Sequence, residues 1–543
     1  MRRDSIRPLG LVLLAAIAVR GYLFFATPVI SKDGAYYIGQ AQRIAEGAWR
    51  QVFGTDFEPI FPFSIFLIQQ VVPDWEAAGK LASLTWGVLA VVPLFLIARR
   101  IYGVRIAFWT GLLFSLHPYF AWNAADVLTE SSYIFFFLLS LWFALVALER
   151  SSMGWHLLCA GAILLTRLSR TEGIWVVVSV ILFYAVRGWR DLRVREWRGF
   201  GPLVRFSAAF AAVMVPVIVY GRDIGSASEL IAYKGLGWTL YVLGRAQAAF
   251  QQSWTALDNV GTFSQVAVLV WRYYIYKFLV LFHPMLLLLT MYAVLKQDAR
   301  REYRDYFLLT ASVWLIYLGG VFVAGFVRGV EATSRRYMMA PVAVALPWAA
   351  LGADLAAARL DEWGWAQRCR EFMKSIPGFS SIGLGWRSSI LAVATLVLAV
   401  TTVQPHRLDK LPIKDAAAWI VAQETRDPVI ISHDNRIAFY AKGEMVQVGE
   451  TLEKKTAEQQ AWTVRDILAA ASSRRANFIF LKGALHPEAE RAVQASDAVR
   501  EIKEWKSPYG DAYTLIQLRE GRQGWAAPPA QSDLQDCRVR CMR

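Results

Sequence analysis

The stretch Ser31-Lys32-Asp33-Gly34-Ala35-Tyr36-Tyr37 follows an apolar run, Pro8 to Phe25, that is long enough to cross a bilayer. A carboxylate at the lip of a membrane is costly unless it does something there, so Asp33 is the first candidate for chemistry. Outward from this point the chain reads as a polytopic α-helical membrane protein. Of its 543 residues 56% are hydrophobic, above the share usual for a soluble chain.

Repeated apolar stretches give about eleven spans, and about 11 to 13 if the short ones are counted generously. They run from Pro8 to Phe25, Ala77 to Ala98, Ile106 to Trp122, Tyr133 to Leu148, Trp155 to Leu168 and Gly173 to Ala185. Phe206 to Tyr220, Val266 to Leu295, Tyr306 to Val327, Tyr337 to Leu351 and Ile390 to Val403 follow. Met1-Arg2-Arg3 precedes the first run without a small-residue cleavage site, which reads as an uncleaved signal anchor.

Charge sets the orientation. With the N-terminus inside, the inner loops hold Arg99, Arg100 and Arg105, then Arg187 to Arg198, Lys296 to Arg304 and Arg359 to Lys374. That is a positive-inside pattern, and it accounts for the net charge of +15 without nucleic acid, for which no recognition motif is present. Asp33 then lies outside. In the loop that follows, Asp33 to Gly47 has helical spacing and reads as an amphipathic surface helix. Glu58 to Val72 reads as an interfacial or re-entrant helix, with a full crossing as the alternative.

After Val403 the character changes, and an odd span count puts this part outside as well. Helical spacing over Ile413–Glu424 and Thr456–Ala471, with strands at Pro428–Ser432, Met445–Val448, Asn477–Leu481 and Ala512–Leu518, predicts a small extracytoplasmic α/β domain. No glycine-rich phosphate loop follows any of these strands, which argues against a nucleotide site. The expected organisation is a catalytic transmembrane module over 1–221, an external loop (Gly221 to Phe263) with further spans over 222–404, the α/β domain over 405–523, and a mobile tail over 524–543. Four cysteines, Cys159, Cys369, Cys537 and Cys541, are too few for a disulfide framework, although the last two could pair.

Several arginines fall where the orientation rule does not want them. Arg167 and Arg170 lie between the fifth and sixth spans, and Arg328, Arg335 and Arg336 between the ninth and tenth, all outside. Guanidinium forks at that depth suit the oxygens of a lipid phosphate. The plainer alternative is that they snorkel or pair with Glu172 and Glu331. Asp126 and Glu130 are four apart, which on a helix is one face. That spacing fits sugar hydroxyls, a divalent metal or simple helix capping. His117 and His283 each precede a proline at a span end, where a structural role is expected; His283, with Glu130, is also a metal candidate.

These residues together resemble a known family. Asp33-Gly34-Ala35-Tyr36-Tyr37 with Gln40, Ala41 and Gly47 is similar to the first loop of the GT-C membrane glycosyltransferases. The dolichyl-phosphate-mannose–protein mannosyltransferases and the bacterial aminoarabinose transferases are the nearest likeness (glycosyltransferase family 39). Pro59 to Phe63, Arg99-Arg100-Ile101-Tyr102-Gly103, Leu128-Thr129-Glu130, Leu165-Thr166-Arg167 with Glu172-Gly173, and Arg336-Tyr337-Met338-Met339-Ala340-Pro341 occur in the same order there.

The resemblance implies a GT-C-like fold and a polyprenyl-phosphate-linked sugar donor used on the outer face of a bacterial inner membrane. It implies that Asp33 is the acidic residue of the first loop, the family's proposed base. Eukaryotic mannosyltransferases carry an Asp-Glu pair there, so Asp33-Gly34 points to the bacterial branch. Sugar transfer to a hydroxyl needs such a base, and the departing lipid phosphate needs cations, here Arg167, Arg170, Arg335 and Arg336 with Tyr337. Tyr36, Tyr37, Asp126 and Glu130 are the candidate sugar or acceptor contacts. A single base predicts inversion at the anomeric carbon. The acceptor, a lipid, glycan or protein, is left open, as is a divalent metal. A lipid-linked sugar flippase and a non-catalytic envelope assembly protein are the competing readings.

Overall fold

The computed structural model describes residues 6–48, 52, 58–192, 197–223, 274–328, 334–362, 386–425, 427–448, 452, 453, 455–519 and 538–540. α1 (Ile6–Ala26) buries Val12, Ala16, Arg20 and Leu23 on one stripe and turns Leu11, Leu14, Ile17 and Phe25 outward. A helix that is apolar all round belongs in a core or in lipid. α2 (Lys32–Ala45) is helical where a helix was expected, with Tyr37, Ile38 and Ala41 buried against Phe61, Ile65 and Ala78, and α3 (Ile60–Gln69) has 10 residues, too few to cross.

α4 (Trp75–Leu89) and α5 (Val91–Tyr102) join at Ala90 into one apolar passage. α6 (Val104–Ser115), α7 (Pro118–Ala124), α8 (Glu130–Arg150), α9 (Met153–Ser169), α10 (Ile174–Leu192) and α11 (Gly201–Asp223) follow. Beyond residue 273 come α12 (Tyr274–Phe282), α13 (Pro284–Leu295), α14 (Gln297–Glu302), α15 (Arg304–Arg328), α16 (Met339–Asp361) and α17 (Trp386–Thr402). Among the described residues five helical passages are long and apolar enough to cross a bilayer, six if α12 and α13 count as one. Shorter apolar helices, including α6 and α9, accompany them.

Two expected spans are broken rather than straight. The third divides into α6 and α7 at His117-Pro118, and the eighth bends by 90° at His283-Pro284. Proline removes a helical N–H and pushes the residue before it out of the helical region. His117 is accordingly extended (φ −74°, ψ 123°), and His283 takes a φ of 65°, a strained value for a residue with a side chain. In lipid, carbonyls freed by a break need new donors. The fully buried Arg20 donates to the Ser115 carbonyl at 3.2 Å, and Thr402 Oγ1 donates to the Leu116 carbonyl at 2.6 Å.

Ion pairs sort the bundle's two ends. Arg100–Glu149, Arg105–Asp354 and Arg187–Asp305 tie the basic loops together at one end. Asp33–Arg336, Glu58–Arg167 and Asp126–Arg407 gather at the other, where the C-terminal part docks.

That part begins with α18 (Leu411–Ala422) and contains β1 (Val429–Ser432), α19 (Arg436–Ala441), β2 (Glu444–Gln447), α20 (Ala457–Arg474), β3 (Phe478–Lys482), α21 (Pro487–Gln494), β4 (Val499–Lys506), β5 (Ala512–Leu518) and β6 (Arg538–Arg540). The sheet order is β4-β5-β3-β1-β2-β6, with β1 parallel to β2 and β3 and the other pairings antiparallel. Successive strand residues face opposite sides. Ile430, Phe478 and Phe480 pack with Ile413, Ala417 and Ile437 on one face; Ile431, Ile479 and Leu481 pack with Val464, Leu468 and Val493 on the other. Helices on both faces make the inner strands continuous apolar runs, the pattern that was legible.

β4 was not foreseen, because it is an edge strand carrying Arg500, Glu501, Lys503, Glu504 and Lys506, charges that guard an open edge. Arg538–Arg540, within the expected mobile tail, pair with β2. Of the cysteines only Cys159 is described, buried and free. The 221–263 loop after Asp223, together with Glu331, Cys369, Cys537 and Cys541, lies outside the described residues.

Candidate active site

The site starts from the cap of α2. Ser31 Oγ accepts from the Gly34 N–H at 2.9 Å and donates to the Val127 carbonyl at 3.0 Å, which pins the helix start to the turn before α8. A side chain at position 34 would meet Val127 Cβ at 2.9 Å, so the residue after Asp33 is glycine for lack of room. Asp33 sits in the first helical turn, where a negative charge complements the helix dipole. Its side chain is 34% exposed, and its Oδ2 lies 2.7 Å from Arg336 Nη1.

Around it, arginines and carboxylates interleave. Arg336 also reaches Glu130 at 3.2 Å. Arg170 bonds Glu130 at 2.8 Å, Thr129 Oγ1 at 3.0 Å, and Glu172 with a fork at 3.0 and 3.1 Å, and its guanidinium stacks 5.7 Å over the Tyr337 ring. Arg167 bonds Glu58 at 3.0 Å. Gly173 lets α10 close onto the end of α9: a Cβ there would lie 2.5 Å from Arg167 backbone, so only glycine brings Glu172 beside Arg170.

A 230 Å³ cavity opens between these groups, lined by Asp33, Tyr37, Glu58, Arg170, Glu172, Arg336 and Tyr337, with Thr129 and Ser169 to Thr171 completing the wall. Burial pushes the Tyr37 phenol well above its usual range, so it stays a neutral hydroxyl, 3.5 Å from Thr129 Oγ1. A larger crevice of 720 Å³ lies at the joint with the C-terminal part, lined by Trp75, Glu76, Phe439 and Tyr440, and it includes neither Asp33 nor any arginine.

Asp33, Tyr37, Arg170, Arg336, Tyr337 and Glu130 thus come together, with Arg167 one residue behind. Four expected residues do not join them. Asp126 is not on a helix with Glu130, because a turn separates α7 from α8. Its Oδ1 accepts from Ser31 N and Val127 N at 2.8 and 2.7 Å, and its Oδ2 meets Arg407 at 2.6 Å. Tyr36 points to Gln447 of the C-terminal part. Arg335 turns to the Tyr119 hydroxyl, has no carboxylate partner among the described residues, and lies close enough to Lys277 for the two charges to repel. His283 sits at the 90° bend near His117.

Among the described residues no three His, Cys, Asp or Glu side chains converge as a metal site, and the cavity's carboxylates are engaged by arginines. Glu58, Thr129 and Lys277 were missed. Glu58 opens the re-entrant stretch beside Pro59, and a carboxylate at the edge of an apolar helix was the signal available for it.

The helical bundle, with an Asp–Arg cavity at one end and an α/β part docked over that end, is similar in fold to solved membrane glycosyltransferases. Residues 56–220 match the sequence profile of the family described as dolichyl-phosphate-mannose-protein mannosyltransferase. The structure is similar to that of ArnT from Cupriavidus metallidurans bound to undecaprenyl phosphate: 14% identity over 93% of this chain and 97% of that one, TM-score 0.53. It is similar, too, to the archaeal oligosaccharyltransferase AglB from Archaeoglobus fulgidus in complex with an inhibitory peptide and a dolichol-phosphate: 14% identity, 97% and 75% covered, TM-score 0.55. No curated protein sequence matches the chain.

Proposed function

We propose that this chain is a glycosyltransferase moving a sugar from a polyprenyl-phosphate donor to an acceptor hydroxyl on the outer face of a bacterial inner membrane. One observation carries the reading: of the carboxylates around the cavity, Asp33 is the one substantially exposed, at 34%, while Glu58, Glu130 and Glu172 are each buried against an arginine. Asp33 takes the proton of the acceptor hydroxyl as its oxygen bonds the anomeric carbon. The bond from that carbon to the phosphate oxygen breaks, and polyprenyl phosphate leaves with one more negative charge. A single in-line displacement inverts the anomeric centre.

The arginines divide the work. Arg167 and Arg170 are neutralised by Glu58, Glu130 and Glu172 and hold the cavity wall, with Tyr337 stacked on Arg170. Arg336 orients Asp33 and borders the phosphate. Arg335, within electrostatic reach of Lys277 and with no carboxylate partner among the described residues, meets the departing charge. Tyr37 and Thr129 face the sugar or acceptor. The clustering of these charges at one end of the bundle favours an enzyme over a flippase, which would need them across the midplane.

The test is the purified chain in nanodiscs with undecaprenyl phosphate linked to radiolabelled mannose, glucose, galactose or aminoarabinose, and an envelope extract as acceptor. Transfer from one donor, with inverted configuration and lost in Asp33→Asn, is the expected result. No transfer from any of them, or full transfer by Asp33→Asn, overturns the proposal.

A further inference from the structure

The six residues before Asp33 are held almost wholly by groups far away in the sequence. Lys80 donates to the Thr27 carbonyl at 2.8 Å, and Asp126 accepts from the Ser31 N–H at 2.8 Å. Ser31 Oγ also donates to the Val127 carbonyl at 3.0 Å, and the anchors on Pro28, Ile30 and Lys32 come from the C-terminal part. Lys414 donates to the Pro28 carbonyl at 3.1 Å. The Tyr440 hydroxyl accepts from the Ile30 N–H at 3.0 Å, and Arg436 donates to the Ile30 carbonyl at 3.3 Å. Asn435 Nδ2 donates to the Lys32 carbonyl at 2.9 Å, and Lys32 Nζ in turn donates to the His433 carbonyl at 3.0 Å.

These clamps are themselves fixed. Arg436 forks onto Asp434 at 2.8 and 2.6 Å, with both side chains no more than 3% exposed, and that fork aims its remaining nitrogen at Ile30. Asn435 is 3% exposed. α2 itself is short, and Asp33 stands one residue beyond Lys32. A displacement of about 1 Å at a reacting group can lower turnover on the order of a hundredfold.

We infer that the segment Asp434–Arg436, with Tyr440, is the positioning element for Asp33. The C-terminal part completes the active site by holding the backbone of Ile30 and Lys32, without touching the substrate itself. This rests on the reading of Asp33 as the base. It gives the domain a role in turnover rather than in anchoring or covering, and it predicts that undocking switches the enzyme off while the donor still binds.

The experiment uses the full chain in nanodiscs, the donor from the panel above that it turns over, and three variants: Asn435→Ala, Tyr440→Phe and Asp33→Asn. The expected result for Asn435→Ala and Tyr440→Phe is a kcat per folded molecule lowered about tenfold with the donor KM unchanged, beside a modest fall in unfolding temperature, because each change strands one backbone group, at Lys32 or at Ile30. A merely structural weakening would leave kcat per folded molecule at its natural value. Unchanged kcat in both variants, with Asp33→Asn inactive, overturns the positioning role and leaves the base in place. Loss of kcat only in proportion to loss of folded protein also overturns it. Full activity in Asp33→Asn removes the base, and the positioning role falls with it.

Discussion

Asp33 and Asp126 are the same kind of residue in the same kind of place. Both stand at the crowded end of the bundle, and each has an oxygen beside an arginine, at 2.7 Å from Arg336 and 2.6 Å from Arg407. They differ in where the remaining lone pairs go. Asp126 is 1% exposed and gives its other oxygen to two backbone N–H groups, so nothing is left for a ligand. Asp33 keeps an open side toward the cavity. A carboxylate's role is set by its unspoken-for oxygen rather than by the arginine beside it.

The largest effect is expected at Asp33. Asp33→Asn keeps the size and the contact to Arg336 but cannot take a proton, so turnover falls by about 10²–10⁴-fold. The unfolding temperature and undecaprenyl phosphate binding stay near those of the natural chain, measured by thermal scanning and equilibrium binding. A large loss of stability instead would place Asp33 with Asp126. For Asp126→Ala the order reverses. The change strands the Ser31 N–H and the charge of Arg407, costing about 3 kcal/mol, and activity per folded molecule falls less than stability does. Denaturant unfolding of the nanodisc-bound chain reads it. A catalytic defect at full stability would break the contrast.

Arg335 and Arg167 extend the comparison to cations. Arg335→Ala removes a guanidinium that no described carboxylate neutralises. Undecaprenyl phosphate binding weakens about tenfold, the equivalent of one charge-assisted hydrogen bond. Arg167→Ala instead leaves Glu58 buried without its arginine, so stability drops while the binding constant of the folded protein holds. Equal losses of binding in both variants would return Arg167 to the phosphate site.

Much of the fold was legible because composition writes it directly. Among the described residues the apolar segments are helical, two of them broken at His-Pro, and the four apolar strands appear within a residue or two of where their runs predict. Pairing was not legible. Asp33 and Arg336 are 303 residues apart, and no local spacing joins them. Of the misplaced arginines Arg170 and Arg336 line the cavity, and pairing with Glu172, the plainer alternative, holds for Arg170; Glu58 and Glu130, which also take up Arg167 and Arg170, come from other segments, which changes what those arginines can do. The four-residue spacing of Asp126 and Glu130 misled because it assumed one helix, whereas Glu130 is the first residue of α8. The clamp on residues 27–32 had no sequence signal, because most of the groups it grips in that segment belong to the backbone.

The smallest effect is on pH dependence, and it separates the two ends of the clamp. His433 is pulled down to about 4 from 6.5, first by burial and then by the charge of Lys32; Arg436 and Lys482 act the same way, and Asp434 opposes them. A histidine held neutral in the folded protein stabilises it fully above about 6.5, and that contribution is lost as pH falls through about 4, because the unfolded chain takes up the proton first. Asp434 adds to this only at lower pH. Burial works against its charged form, but the Arg436 fork outweighs that and holds its carboxyl below 3.8, so its share goes only as pH drops past that region. Unfolding temperatures between pH 7.5 and 2 should therefore fall in two stages, the first between about 6.5 and 4 and the second below 3.8, and His433→Gln should flatten the first while leaving the second. A natural chain and His433→Gln with the same slope between 6.5 and 4 would show that His433 carries none of the acid sensitivity in that window.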